Sequence, residues 1–197
     1  MELILIRHGL PEKIINEDGM PADPPLSETG HQQAMKVANW LKNEKIDRIY
    51  SSPMRRAWQT AEPLAMEKGL EIVACDEVAE YDQQAEHYIP VEQLKELDYE
   101  RWQKLMRGEV EDINFPEFVQ RVADGLNQII ADNRGKTVAV TCHGGVINVW
   151  TALVVGFEPR LFFNPTYTSI NRFRAASSGE KSVVTLNEHF HLLNKQA

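Results

Sequence analysis

The chain has 197 residues, 43% hydrophobic and 25% charged, with 29 acidic against 21 basic side chains and a formal charge of −8 at pH 7. That size and composition suit one soluble globular domain able to bury a core without covalent staples. The negative balance argues against a general nucleic-acid binder or a protein held at anionic membranes, since both want a positive face. No apolar stretch is long enough to span a bilayer and no leader-type segment is visible, so a cytoplasmic location is the expectation. Cys75 and Cys142 lie in strand-like runs and read as small buried hydrophobes, not as a disulfide framework.

Leu3 to Ile6 is an unbroken apolar run suited to a strand buried on both faces, and it ends in Arg7-His8-Gly9. A cation and an imidazole belong at the end of such a strand, facing the crevice at the carboxyl edge of a parallel sheet. Pro11 to Pro25 lacks periodicity and reads as a long loop of the functional kind. Ser27 is a candidate N-cap for a helix with Ala34, Val37, Ala38 and Leu41 on one stripe, running to about Asn43. Arg48 to Ser51 reads as a second strand. Pro53 marks a helix start, and Ala57, Thr60, Ala61, Leu64 and Ala65 carry the apolar spacing to Gly69.

Glu71 to Cys75 is the third expected strand. Asp76 to Pro90 is an acidic, irregular excursion containing Tyr81, His87 and Tyr88. The spacing then predicts a helix over 91–107, with Leu94, Leu97, Trp102, Leu105 and Met106 available for burial. Asn114 and Glu117 resemble a capping box before a helix carrying Phe118, Val119, Val122, Leu126, Ile129 and Ile130, ended by Gly135. Lys136 to Cys142 is a second buried-type strand and runs into His143-Gly144-Gly145 and an apolar helix to about Val155. Thr168 to Arg174 and Lys181 to Leu186 form two closing strands around a Ser-Ser-Gly turn. The alternation implies a mainly parallel sheet with helices on both faces, in a single domain over residues 1–197 with a cap-like insert at roughly 76–113.

Thr141 to Gly145 has the same grammar as the first segment: apolar strand, histidine, glycine. A helix follows at once, so the amides of Gly144, Gly145 and Val146 would face out of a helix N-terminus, which carries partial positive charge and binds anions. A lone histidine is more often a satisfied core residue, and an Arg-Arg pair more often a solvated one. Two strand-end histidines beside an arginine tilt the reading to a phosphate pocket, which one of Arg55 or Arg56 can reach from the helix after the second strand.

Arg7-His8-Gly9, Leu26-Ser27-Glu28-Thr29-Gly30, Tyr50-Ser51-Ser52-Pro53 with Arg56-Ala57-Trp58-Gln59-Thr60-Ala61, and His143-Gly144-Gly145 together resemble the histidine phosphatase superfamily. That is the clan of phosphoglycerate mutases and acid-type phosphatases. The resemblance implies a three-layer α/β/α sandwich and a covalent phosphohistidine mechanism that uses neither cofactor nor metal. In it His8 resembles the nucleophile, Arg7 the first pocket arginine and His143 the second histidine. Arg56, which precedes Ala-x-Gln-Thr-Ala, matches the second pocket arginine and is preferred to Arg55 for that spacing. Gly144 would add a backbone donor to the phosphate. The family takes its general acid from a glutamate after the third strand; Glu80 fits best, with Glu77 and Glu86 as competitors.

The mutases follow Arg-His-Gly with Glu and then Ser or Thr, and place Asn six residues after the histidine. This chain has Leu10, Pro11 and Ile14 there, and its insert lacks an arginine-rich clamp. A phosphatase acting on a small phosphorylated substrate is therefore preferred to a phosphoglycerate-type mutase or a non-catalytic phosphate-binding regulator. A metal hydrolase has no close-spaced ligand motif behind it. The loop 11–25 and the excursion 76–112 are expected to roof the pocket, their acidic residues disfavouring polyphosphates. Leu161-Phe162-Phe163 could face a homodimer partner, with packing under the sheet favoured.

Overall fold

The computed structural model describes residues 1–16, 19–107 and 114–193. The first apolar run forms β1 (Glu2–Arg7), and a loop containing the two-residue strand β2 (Ile14–Ile15) leads to α1 (Glu28–Leu41). Ser27 caps α1, its hydroxyl accepting from the Gly30 amide at 3.1 Å. β3 (Arg48–Ser51), α2 (Arg55–Lys68) and β4 (Ile72–Ala74) follow, and Gly69 ends α2 in the left-handed region at φ 62°. A short 3-10 turn at Asp76–Val78 leads into β5 (His87–Tyr88).

The helix expected over 91–107 is two helices, α3 (Val91–Leu97) and α4 (Tyr99–Met106). Asp98 breaks it: its backbone is extended, and its carboxylate accepts from the Arg101 amide at 3.0 Å, so a fresh helix starts there. Leu94 is buried, but Leu97 is 56% exposed because the break turns it outward. The side chains of Leu105 and Met106, and the end of the proposed insert at 108–113, lie outside the described residues.

α5 (Phe115–Asp132) begins at Asn114, whose Oδ1 accepts from the Glu117 amide at 3.3 Å while its own amide donates to Glu117 at 3.0 Å. It ends at the Asn133 cap; Gly135, at φ 74°, makes the turn that follows. β6 (Thr137–Cys142), α6 (Gly144–Val155), β7 (Ile170–Ala175), β8 (Lys181–Glu188) and α7 (Phe190–Leu193) complete the chain.

The sheet order is β4-β3-β6-β1-β7-β8, in which β4, β3, β6 and β1 are parallel, β7 runs antiparallel to β1, and β8 antiparallel to β7. Alternate residues of β1 serve opposite layers. Ile4 and Ile6 pack with Val37, Leu41, Ala61 and Leu64 of α1 and α2, whereas Leu3 and Leu5 pack with Val122, Leu126, Val146 and Trp150 of α5 and α6. The result is the expected α/β/α sandwich. Among the described residues no helix is long and apolar enough to cross a membrane.

The loop over 11–25 is not wholly irregular. β2 pairs antiparallel with β5, Ile14 opposite Tyr88, and the Ala22 amide donates to the Ala85 carbonyl at 2.7 Å. Two residues are too few to show a period in the sequence, so this link between loop and excursion was invisible there.

The chain leaving β1 presses against the first turn of α1. A Cβ on Gly9 would lie 2.7 Å from the Gly30 carbonyl oxygen, and one on Gly30 would lie 2.1 Å from that of Leu10. The same Leu10 oxygen accepts from both the amide and the hydroxyl of Ser27, each at 2.9 Å. Gly30→Ala is expected to destabilise the fold by about 2 kcal/mol, since backbone rather than a flexible side chain must yield. Urea denaturation checks this: the midpoint should fall at unchanged slope, and an unmoved midpoint would show that the contact gives way freely.

Candidate active site

β1 and β6 run in parallel register with Arg7 opposite Cys142, and the His8 amide donates to the Cys142 carbonyl at 2.9 Å. His8 and His143 therefore leave neighbouring strand ends together, with ring centroids 5.1 Å apart. The His8 Nδ1 lies 2.8 Å from the Gly9 carbonyl oxygen, which can only accept, so Nδ1 carries the hydrogen and Nε2 the lone pair. His143 Nε2 lies 2.8 Å from the Ser52 hydroxyl, which accepts from the Met54 amide at 3.3 Å. A serine hydroxyl that donates to Nε2 leaves the His143 hydrogen on Nδ1, which is buried without a partner among the described residues.

Burial is the main force lowering the pKa of both imidazoles, followed for His8 by Arg56 and Arg7, and for His143 by Arg56, His8 and Arg7. Both rings are thus neutral well below the ordinary histidine range.

Arg7 donates from NH1 to Asn164 Oδ1 at 3.0 Å and to the Pro165 carbonyl, and its guanidinium lies 4.0 Å over the Tyr167 ring. Arg56, 1% exposed, donates from NH2 to Asp82 at 2.8 Å and stacks 4.5 Å over Tyr88. Arg7 Nε and Arg56 Nε and NH1 are buried donors with no hydrogen-bond acceptor among the described residues. Arg55 faces solvent, its amide donating to Asp23 at 2.9 Å. The phase of α2 decides between the two arginines. Thr60 locks that phase: its hydroxyl donates to the Arg56 carbonyl at 2.7 Å and accepts from the Gly9 amide at 2.9 Å.

Glu80 reaches the same place from the excursion after β4. Its Oε2 accepts from the Gly145 amide at 2.8 Å and its Oε1 from the Tyr81 amide at 3.2 Å. Burial and, next, the Asp82 carboxylate raise its pKa to about 7 against those two bonds and Arg56. The amides expected to form an open anion site at the start of α6 are thus partly spent, since Gly145 serves Glu80. Glu77 is exposed and contacts the Cys75 thiol at 3.3 Å, and Glu86 is exposed on the loop side, so neither joins the cluster. Gly144 starts α6 close to Arg7, where a Cβ would lie 3.8 Å from its Nε.

Sequence reasoning missed Ser52, Asp82, Tyr88, Asn164 and Tyr167. Only Asp82 and Tyr88 had a signal, as the acid and aromatic nearest Glu80 in the excursion. The Leu161-Phe162-Phe163 run divides: Phe163 packs against the core, and Phe162 stays 39% exposed beside Phe157.

Residues 3–189 match the sequence profile of the histidine phosphatase superfamily (branch 1). The chain belongs to the histidine phosphatase superfamily. It is 30% identical over 178 residues to phosphoserine phosphatase 1 of Hydrogenobacter thermophilus, covering 83% of this chain and 81% of that one. Among solved structures it resembles a mutant phosphoserine phosphatase from Entamoeba histolytica in complex with phosphoserine, with 27% identity, a TM-score of 0.75 and coverage of 97% and 98%. The fold is shared with mycobacterial glucosyl-3-phosphoglycerate phosphatase at 18% identity and a TM-score of 0.76, over 95% and 99% of the two chains. This chain is a phosphatase of that superfamily.

A Cβ on Gly145 would lie 2.3 Å from Glu80 Oε1. Gly145→Ala is expected to push the carboxylate aside and to lower kcat about 100-fold. Steady-state kinetics beside a thermal melt test it; full activity would show that the carboxylate position is immaterial.

Proposed function

We propose that the protein is a metal-independent phosphomonoesterase that works through a phosphohistidine on His8. The observation that carries this reading is a neutral imidazole whose Nδ1 hydrogen is held by the Gly9 carbonyl, leaving the lone pair on Nε2, set among buried guanidinium donors that meet no acceptor among the described residues. A phosphoryl dianion would satisfy those donors and gain from both charges. Phosphoryl transfer spreads charge over the equatorial oxygens, so positioned cations and donors do most of the work.

In the first step the His8 Nε2 pair bonds to phosphorus, the P–O ester bond breaks, and the leaving oxygen takes the proton of Glu80. In the second, the Glu80 carboxylate removes a proton from water, the hydroxide attacks phosphorus, the P–N bond breaks and inorganic phosphate departs. Arg7 and Arg56 hold the equatorial oxygens, and the His143 Nδ1 hydrogen adds a donor. The Gly144 amide at the start of α6 completes the pocket. A covalent intermediate splits one difficult displacement into two easier ones.

The described part of the insert acts as a cap, Tyr88 lying over Arg56 and β5 tied to the 11–25 loop. Leu10, Pro11 and Ile14 favour hydrolysis over mutase chemistry, because none of them can hold a second phosphate. Asp82 and the acidic residues around it favour small monoesters over polyphosphates. Phosphoserine and 3-phosphoglycerate head the panel to try, the first from the names of the relatives and the second from a phosphoserine phosphatase solved with 3-phosphoglyceric acid.

The test is hydrolysis of an aryl phosphate with chelator present. Wild type should turn over and form an acid-labile phosphoenzyme, and His8→Ala should do neither. Activity that the chelator abolishes, or that survives in His8→Ala, would overturn the mechanism. The pH profile carries its own signs. Glu80 must be protonated to act as acid in the first step, so kcat/KM, which reports the free enzyme, falls as pH rises through about 7. His8 must be neutral, and with its pKa held below 6.5 activity persists on the acid side of that value. Glu80→Gln should lower kcat about 100-fold with poor leaving groups and flatten the alkaline limb; an unchanged limb would take the acid role from Glu80.

A further inference from the structure

α6 is the most apolar helix of the fold, yet Asn148 sits in its second turn, 2% exposed, among Val146, Ile147, Val149 and Trp150. A carboxamide in such a place costs stability unless every polar atom is matched. It is matched completely. Nδ2 donates to the Gly144 carbonyl at 2.8 Å and to the Phe163 carbonyl at 2.9 Å, and Oδ1 accepts from the Phe162 and Phe163 amides at 2.8 and 3.1 Å. Two donors and two lone pairs exhaust its capacity.

Those bonds join two parts of the site. One is the first turn of α6, beginning at Gly144. The other is the segment 158–166, which has no regular structure of its own and supplies both acceptors of Arg7 NH1, Asn164 Oδ1 and the Pro165 carbonyl. Its far end is pinned by Asn187, whose Oδ1 accepts from the Thr166 amide at 2.7 Å. Among the described residues no ladder holds the stretch between; Phe163 packs against the core and Tyr167 stacks on the guanidinium. The hydrogen bonds that fasten residues 162 and 163, and so set the height of the two acceptors, come from Asn148.

We propose that Asn148 is a positioning residue that sets Arg7 against the transferring phosphoryl group by clamping the 158–166 segment to the start of α6. This rests on the reading of Arg7 as a phosphoryl ligand. Loss of the clamp lets the two Arg7 acceptors drift, and displacement of a positioning group by an ångström is enough to cost up to about 100-fold in rate.

A double-mutant cycle on the full chain tests it, with kcat/KM on p-nitrophenyl phosphate and inhibition by inorganic phosphate as readouts. Asn148→Ala is expected to lower kcat/KM by about 10- to 100-fold and weaken phosphate inhibition in parallel. Arg7→Ala should lower it further, and the double variant should stay within about twofold of Arg7→Ala alone, because the asparagine acts through the arginine. Losses that multiply in the double variant would make Asn148 a structural residue and overturn the proposal, as would full activity in Asn148→Ala. Wild-type activity in Arg7→Ala would overturn the phosphoryl-ligand reading as well. Should Asn148→Ala not fold, Asn148→Leu enters the same cycle: it is close to asparagine in size, removes the clamp's hydrogen bonds without adding a buried charge, and faces the same two outcomes.

Discussion

Because β1 and β6 run parallel with Arg7 opposite Cys142, the chains that follow them leave the sheet at one edge, and His8 and His143 come to rest with ring centroids 5.1 Å apart. Neighbouring strands lie about 4.8 Å apart, so this pairing of imidazoles follows directly from the strand spacing. A slip of one residue would separate the rings and exchange Leu3 and Leu5 with Ile4 and Ile6 between the two helical layers. Since both faces of β1 are apolar, polarity alone does not hold the register. The close approach of Gly9 to the Gly30 carbonyl adds a steric constraint on where the chain beyond His8 passes α1.

The same edge concentrates positive charge in a space from which water is largely excluded. Two guanidiniums lie beside two imidazoles, and a single carboxylate, Asp82, is ion-paired with either arginine among the described residues. A buried donor left without an acceptor costs about 1–3 kcal/mol, and Arg7 Nε and Arg56 Nε and NH1 meet no protein acceptor among the described residues, so an anionic ligand would be well matched to them. Keeping donors for a ligand is a usual way in which a site gives up stability for function. Burial, reinforced by that field, keeps both imidazoles neutral, as the proposed nucleophile and hydrogen-bond donor require, and burial holds Glu80 near the point at which it can give and take a proton at neutral pH.

The site is assembled from pieces of very different rigidity. His8 and His143 stand at the ends of central strands, and Arg56 is fastened by Thr60 to the turn beside His8. Glu80, Asp82 and Tyr88 come from an excursion joined to the opposite loop by a ladder of two residues, and Arg7 leans on an irregular segment held by the packing of Phe163 and by the side chains of Asn148 and Asn187. The groups assigned to phosphorus thus sit on the strongest elements. Those that cover it sit on the weakest, a division suited to an enzyme that must admit and release its substrate.

The buried strands, the helical stripes and the gathering of Arg7, His8 and His143 at one edge were legible in the sequence, because each is written in a few adjacent residues, whereas Arg56 was preferred to Arg55 on the family resemblance alone. Apolar runs mark buried strands, and a histidine followed by glycine marks where the chain leaves the sheet. The break at Asp98 and the two-residue strands were not legible, since a single competing side chain or a pair of residues leaves no period. Glu80 rather than Glu77 or Glu86, and the parts taken by Ser52, Asp82, Tyr88, Asn148, Asn164 and Tyr167, were decided only in three dimensions. Glu80 meets the Gly145 amide across 65 residues of chain, and Arg7 meets Asn164 across 157. Local pattern encodes which face of an element is buried; it does not encode which distant group will stand within hydrogen-bonding distance once those faces are packed.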